Sequence, residues 1–483
     1  MTLSNGLSNP ISVSEQCCEI VGNKGTMREE VTGGNGAKQR LRVCIKSFGC
    51  QMNMYDTEVA EGILAHEGYE IVNGGGRVRE DDERADVVLM NTCSVREHAE
   101  DRVYGRLGML GKAKKKNPEL ILGLMGCMVE EHREKLFKRF PQLDFMVGTR
   151  NIKDLPLVID EVRKRRHQVA KIRHDGISIE YTDVIKRRGT FHAWLPIMTG
   201  CDKICTYCIV PITRGREVSM PAREVYREAS RLVSEGVRWI TLLGQNVNSY
   251  RGGELDGKAM LFPELLEMLC EIDGLERISF TTSHPHDATE ELYRVIAQNP
   301  KISRRFHLPL QSASDRMLKR MARLHTFAEY TAKIDLMCEL IPDVSVTTDI
   351  IAGFSGETEE DHEATKRALE EIRFDSAFVY KYSVRQGTPA SKLPDDVPAD
   401  VKEKRNNELL EVQRRITREN NVKWLGRTVG VFVEARSVKD ANQLVGRMDQ
   451  DKKVVFSGDP FLIGTFQKVR LVDLQHETLL GTL

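Results

Sequence analysis

Beyond residue 40, short apolar runs alternate with amphipathic stretches, and the spacing predicts successive strands and helices. Residues 42–48 (Arg-Val-Cys-Ile-Lys-Ser-Phe) read as a strand and 55–66 as a helix. A second strand follows at 86–90, a helix at 97–114, a third strand at 120–125, and a helix from Glu130. This β-α-β-α rhythm implies a parallel sheet. A basic connector over 163–173, with Lys186-Arg187-Arg188, leads to a second region. There strands are expected near 193–199, 238–243, 277–282, 305–310, 344–350 and 376–382, separated by helices such as 222–235 and 358–372. Six βα units predict an open barrel, short of the closed eight-unit form. After a charged helix over 401–420 the pattern changes to short β runs split by Gly and Asp turns, which fits a small all-β barrel.

The expected fold class is therefore α/β. An N-terminal parallel α/β sheet domain is expected over 41–157, a central open (β/α)6 barrel over 186–417, and a C-terminal all-β barrel over 420–483. Residues 1–40, rich in Gly, Ser, Asn and Glu, read as a disordered tail in which Cys17-Cys18 is incidental.

Composition narrows the function classes. The 483 residues suffice for two or three domains, and 29% charged with 40% hydrophobic residues is ordinary for a soluble protein. Lys plus Arg and Asp plus Glu balance at 71 each, so a nucleic-acid surface would have to be local. No run approaches a membrane span, and no apolar core follows a basic start, so a cytoplasmic protein is expected. Eleven cysteines in such a chain argue against a disulfide framework and for metal ligation in a reducing compartment.

Cys201, Cys205 and Cys208 stand as C-x3-C-x2-C, with Tyr207 directly before the last. Three thiolates at this spacing can hold three corners of a cubane iron–sulfur cluster and leave one iron open for a reacting ligand. The alternatives are a zinc knot or buried free thiols, though paired C-x2-C arms or His partners are lacking here. A second set, Cys50, Cys93 and Cys127, is scattered in sequence. Each lies just past the carboxyl end of a predicted N-terminal strand, and in a parallel sheet those ends open on one edge. Gly49 and Gly126 would let the backbone wrap close to a bulky inorganic ligand. Three buried loop cysteines remain the alternative.

The run around Cys201 resembles the signature of the radical S-adenosylmethionine enzymes. Ser47-Phe48-Gly49-Cys50-Gln51-Met52-Asn53, Asn91-Thr92-Cys93-Ser94-Val95-Arg96-Glu97 and Met125-Gly126-Cys127-Met128 resemble the N-terminal motifs of the radical methylthiotransferases. So do Cys208-Ile209-Val210-Pro211 through Arg214-Gly215-Arg216-Glu217-Val218-Ser219, and Thr348 through Phe354. The likeness spans about 41–483, and Ser94-Val95-Arg96-Glu97 is most similar to the branch acting on isopentenyladenosine in tRNA. It implies two [4Fe-4S] clusters, on Cys201/Cys205/Cys208 and on Cys50/Cys93/Cys127, with S-adenosylmethionine as radical source and methyl donor. It also implies a C-terminal TRAM module that binds RNA, a tRNA anticodon stem-loop as partner, and a reducing electron-transfer protein; a monomer is expected.

Polar residues at the carboxyl rim of a βα barrel face the site. Gln245, Asn246, Ser283, Gln311 and Asp349 are such residues, and the resemblance implies that several contact the cofactor; loop capping is the alternative. Tyr207 either borders the adenine or packs the loop. Arg304, Arg305, Arg316, Lys319, Arg320 and Arg323 form a basic cluster that suits phosphate contacts or a solvated helix face. Cys44, Cys270 and Cys338 match no ligand motif and read as core filling. Threonylcarbamoyl-adenosine or a ribosomal-protein aspartate are alternative substrates under the same chemistry. A non-catalytic iron–sulfur carrier or a zinc-containing RNA-binding protein is the alternative of another class.

Overall fold

A computed structural model describes residues 40–72, 85–94, 97–172, 184–187, 189–255 and 257–483. The expected tail and its Cys17-Cys18 pair lie outside these residues. Among those described, no helix is long and apolar enough to cross a membrane.

The N-terminal sheet has six parallel strands in the order Glu70–Ile71, Arg42–Phe48, Val87–Thr92, Ile121–Gly126, Phe145–Val147, Val169–Lys171. Three of them were expected. The other three are two or three residues long, too short for an apolar run to stand out. The stretch read as a basic connector begins as structure. Helix Leu155–Arg165 buries Leu155, Val158, Ile159 and Val162 while its basic end stays in solvent, and strand Val169–Lys171 completes the sheet edge.

Two helix starts also differ from expectation. The first helix is Gln51–His66, beginning four residues early because Cys50 serves as its N-cap. Asn53, at the third helical position, accepts the Cys50 N–H at 3.2 Å and so satisfies a donor the helix leaves free. The third helix begins at Cys127 rather than Glu130. Both changes bring a cysteine to the point where strand passes into helix.

The central domain curls two parallel sheets into one open arc. Strands His192–Pro196, Trp239–Leu243 and Arg277–Phe280 form the first; Arg305–His307, Ser345–Ala352 and Ser376–Lys381 form the second. A parallel bridge between Ile278 and Ile302 joins them. The expected six units are present, and Phe262, Phe280, Phe306, Tyr293 and Tyr330 fill the buried packing around them. Residues 184–187 lead into this arc along the first helix, where Lys186 donates its N–H to Glu58 O at 3.1 Å.

Five strands close the C-terminal barrel: Thr428–Arg436, Gln443–Met448, Lys453–Ser457, Thr478–Thr482 and Phe466–Gln475. Its turn at Asp449–Asp451 is fastened to the foot of the central arc. Arg277, with its side chain 2% exposed, donates to Asp449 and to Arg447 O, and its guanidinium lies 4.8 Å from the Phe466 ring centroid. Ser303 Oγ donates to Asp449 O at 2.6 Å, and Arg305 pairs with Asp451 at 3.3 Å. Replacing Arg277 by Ala removes charge-assisted hydrogen bonds worth roughly 1.5–3 kcal/mol. The expected outcome is a lower urea midpoint for metal-free protein and faster proteolytic release of the C-terminal barrel.

Candidate active site

The register of the N-terminal sheet assembles the first cysteine set. Phe48 pairs with Thr92 and Thr92 with Gly126, so three strand ends stand side by side and Cys50, Cys93 and Cys127 follow on one edge. A buried amide pair locks those ends. Asn53 Nδ2 donates to Asn91 Oδ1 and to Thr92 O, each at 3.0 Å, while Asn91 Nδ2 donates to Asn53 O at 2.8 Å and Thr57 Oγ1 at 3.0 Å. The two glycines also let protein pack closely here. A Cβ on Gly49 would lie 2.7 Å from Cys93 Cβ, and one on Gly126 (φ 97°) 2.5 Å from Thr92 O. They let neighbouring strand ends approach each other.

Charge in this pocket is uneven. Hydrogen bonding with Cys93 and the nearby Arg214 guanidinium bring the Cys50 thiol down to about 6, against the opposing effect of burial. Burial pushes the Cys127 thiol up, with Arg214 partly offsetting it. Arg214 comes from the central domain and is itself buried, donating to Asp56 Oδ2 at 2.7 Å. Sequence reasoning missed this residue as part of the site; its only signal was its place in the Arg214-Gly215-Arg216 run.

The second set sits in the loop after the first barrel strand. Gly200 (φ 76°) turns against Arg216 O, where a Cβ would come within 1.9 Å, and Cys201 donates its N–H to Gly215 O at 3.2 Å. Cys208 N–H donates to Cys205 O at 3.0 Å, and Thr206 is stitched to Arg320 O and Met321 O. Arg323 reaches Cys205 Sγ at 3.4 Å, Tyr207 Oη at 3.5 Å and Pro309 O at 2.7 Å. It is 3% exposed, so it serves the cysteine loop and is no part of a basic surface cluster. Burial pushes Cys201 up to about 11 and Cys208 up to about 12, with Cys205 adding to both. Cys201 and Cys208 sit where a lone negative charge is penalised, so this three-thiol set suits a multiply charged cation.

The rim residues divide into two groups. Tyr207, Gln311 and Asp349 line a cavity of about 480 Å³ together with Cys208. Gln311 adopts a left-handed φ of 73°, and its N–H donates to Asp349 O at 2.8 Å. His307 Nε2 lies 3.4 Å from Asp349 Oδ2. Tyr207 lines the cavity, and its ring packs edge-to-face on Phe354 with centroids 6.4 Å apart. Gln245, Asn246 and Ser283 do not line that cavity. Gln245 Oε1 accepts the Gly200 N–H and so braces the cysteine loop. Asn246 donates to Asp287 at 2.7 Å, and Asp287 pairs with Lys203 at 2.8 Å. The buried Asn246 Oδ1 and Ser283 Oγ have no protein partner.

The opposite wall of the cavity is N-terminal: Phe48, Gly49, Ser94 and Arg102. One space thus touches the neighbours of both cysteine sets. A buried pair, Arg385 to Glu100 at 3.0 Å, crosses between the two domains beside it. Away from the site, Cys44 fills the core as expected, but Cys270 is half-buried and Cys338 exposed. In the C-terminal barrel Arg427 is paired with Asp343 and Lys452 with Asp375, leaving Arg436, Lys453, Lys468 and Arg470 exposed to solvent.

The two thiol environments differ enough to be read chemically. In metal-free protein, alkylation of Cys50 by iodoacetamide is expected to reach half its maximal rate near pH 6. Cys201 and Cys208 should do so only near pH 11 and 12. Peptide mass spectrometry across pH distinguishes this order from uniform reactivity.

Comparison with known proteins places this geometry. Residues 42–148 match the uncharacterized protein family UPF0004, 195–369 the radical SAM superfamily, and 423–483 the TRAM domain. The chain is 44% identical over 440 residues to the tRNA-2-methylthio-N(6)-dimethylallyladenosine synthase of Clostridium botulinum (strain Okra / Type B1), covering 90% of this chain and 96% of the relative. It is 42% identical over 431 residues to the enzyme of that name from Carboxydothermus hydrogenoformans, covering 89% and 96%. Among solved structures, the radical S-adenosylmethionine methyltransferase TsrM from Kitasatospora setae, with cobalamin and a [4Fe-4S] cluster bound, shares the fold. Its TM-score is 0.52 at 14% identity, covering 73% of this chain and 77% of that one. The radical SAM match carries with it a [4Fe-4S] cluster and S-adenosylmethionine. The chain belongs to the tRNA-2-methylthio-N(6)-dimethylallyladenosine synthase family of radical SAM methylthiotransferases.

Proposed function

We propose that this enzyme adds a methylthio group to carbon 2 of N6-isopentenyladenosine beside the anticodon of tRNA, using two [4Fe-4S] clusters. The observation that carries the reading is the single cavity walled by Phe48, Gly49 and Ser94 on one side and Tyr207, Cys208, Gln311 and Asp349 on the other. Cys201, Cys205 and Cys208 would hold one cluster, and Cys50, Cys93 and Cys127 the second. When bound, such groups supply the electron that cleaves S-adenosylmethionine and an open iron on which sulfur is carried.

The chain's own residues bind and orient. Arg323, bonded to Cys205 Sγ and Pro309 O, offsets thiolate charge and fixes the loop. Gln311 and Asp349, on the cavity wall, suit polar groups of the bound S-adenosylmethionine, while Gln245 and Asn246 hold the cysteine loop from behind. An adenine flipped from a single-stranded loop would enter between Phe48 and Tyr380, with the exposed Arg102 and Lys381 on the wall to meet the RNA backbone. The exposed Arg436, Lys453, Lys468 and Arg470 give the small barrel a further set of phosphate contacts. This reading makes the protein a cytoplasmic monomer served by a reducing electron-transfer partner.

Iron and sulfide analysis of anaerobically purified protein tests the ligand sets. About eight irons are expected for wild type and about four for the Cys50/Cys93/Cys127 triple alanine variant. About four in both would mean that the N-terminal cysteines hold no cluster. Nucleoside analysis of tRNA from a deletion strain tests the substrate. Isopentenyladenosine should accumulate at the expense of its methylthio form, which wild type should restore and the triple alanine variants of Cys50/Cys93/Cys127 and of Cys201/Cys205/Cys208 should not. A change confined to threonylcarbamoyl-adenosine would overturn the assignment.

A further inference from the structure

Arg214 follows the short helix Val210–Thr213, immediately after the barrel's cysteine loop, yet its side chain ends in the N-terminal domain. It is 8% exposed and bonded to Asp56, which is 6% exposed and six residues past Cys50 on the first helix. Other contacts also join the two domains here: Thr149 Oγ1 donates to Thr213 O at 3.2 Å, and Arg150 Nη2 to Arg214 O at 3.1 Å. A fully buried ion pair is a weak source of stability, because desolvation of both charges offsets their attraction. What distinguishes this pair is its neighbours. The guanidinium, fixed by Asp56 Oδ2 at 2.7 Å, lies within hydrogen-bonding reach of Cys127 and close enough to Cys50 for their charges to interact.

We propose that Arg214 is a positioning residue for the N-terminal cluster: a cation delivered by the barrel that sets the reduction potential of the group held by Cys50, Cys93 and Cys127, with Asp56 holding it in place and moderating its charge. The inference rests on the reading that these three cysteines hold a cluster. A fixed positive charge favours the more negative, reduced state of a cluster, and a fixed negative charge disfavours it. The two partners should therefore act with opposite sign, which a merely structural pair would not do.

The test uses the full chain carrying Cys201→Ala, Cys205→Ala and Cys208→Ala, so that only the N-terminal cluster remains, with its midpoint potential read by electron paramagnetic resonance during redox titration. Arg214→Met is expected to make reduction at least tenfold less favourable, a shift of ~59 mV to more negative potential for one electron. Asp56→Asn is expected to shift it the other way, and Arg214→Lys, which keeps the charge, to stay near the parent value. Iron content and circular dichroism accompany each variant, and Asp56→Asn with Arg214→Lys carry the test if Arg214→Met loses its iron. Iron-loaded variants whose potentials do not move, or move in the same direction, overturn the inference and leave the cluster reading intact. A parent lacking iron altogether overturns the cluster reading, and the inference with it.

Discussion

Burying thiolates side by side is electrostatically unfavourable, and much of this molecule is arranged around that problem. Each cysteine set gathers where strand ends open on a parallel sheet edge. Each is met by one buried arginine: Arg323 at Cys205, and Arg214 at Cys50 and Cys127. Neither arginine is adjacent in sequence to the thiols it compensates, and Arg214 belongs to a different domain from them. The cost of concentrating negative charge is thus met by tertiary structure, so the site exists only when both α/β domains are folded and in contact.

The locking of strand ends is the second requirement. Asn53 at the start of the first helix and Asn91 on the neighbouring strand exchange side-chain and backbone hydrogen bonds, with both residues fully buried. In such surroundings an amide without its partner is expensive, so the pair specifies one arrangement of the loops bearing Cys50 and Cys93. The strands beneath supply hydrophobic burial; the amides supply direction.

How much of this could be read from the chain follows the range of the interactions involved. The barrel cysteines and their glycine form a contiguous run, and the six βα units show as periodicity because even the short strand Arg305–His307 continues into the buried apolar Leu308 and Leu310. The three N-terminal cysteines were groupable only because each follows a predicted strand, and the register of Phe48, Thr92 and Gly126 then brings those strand ends level. Edge strands such as Val169–Lys171 were illegible: three residues within a basic stretch have no pattern, and pairing with Phe145–Val147 defines them. Arg323 looked like surface charge because its neighbours in sequence are basic, whereas its partners Cys205 and Pro309 lie far along the chain. Gln245 and Asn246 were rightly placed at the rim, but they brace the cysteine loop from behind and do not line the cavity.

The turn Asp449–Asp451 gives the C-terminal barrel a meaning beyond attachment. Arg277, Ser303 and Arg305 grip it at the foot of the central arc, at the end away from the cysteine loops. An appendage on a free tether would sample many separations from the reaction cavity. This one is held at a single span, so an RNA touching both places must bridge a set length.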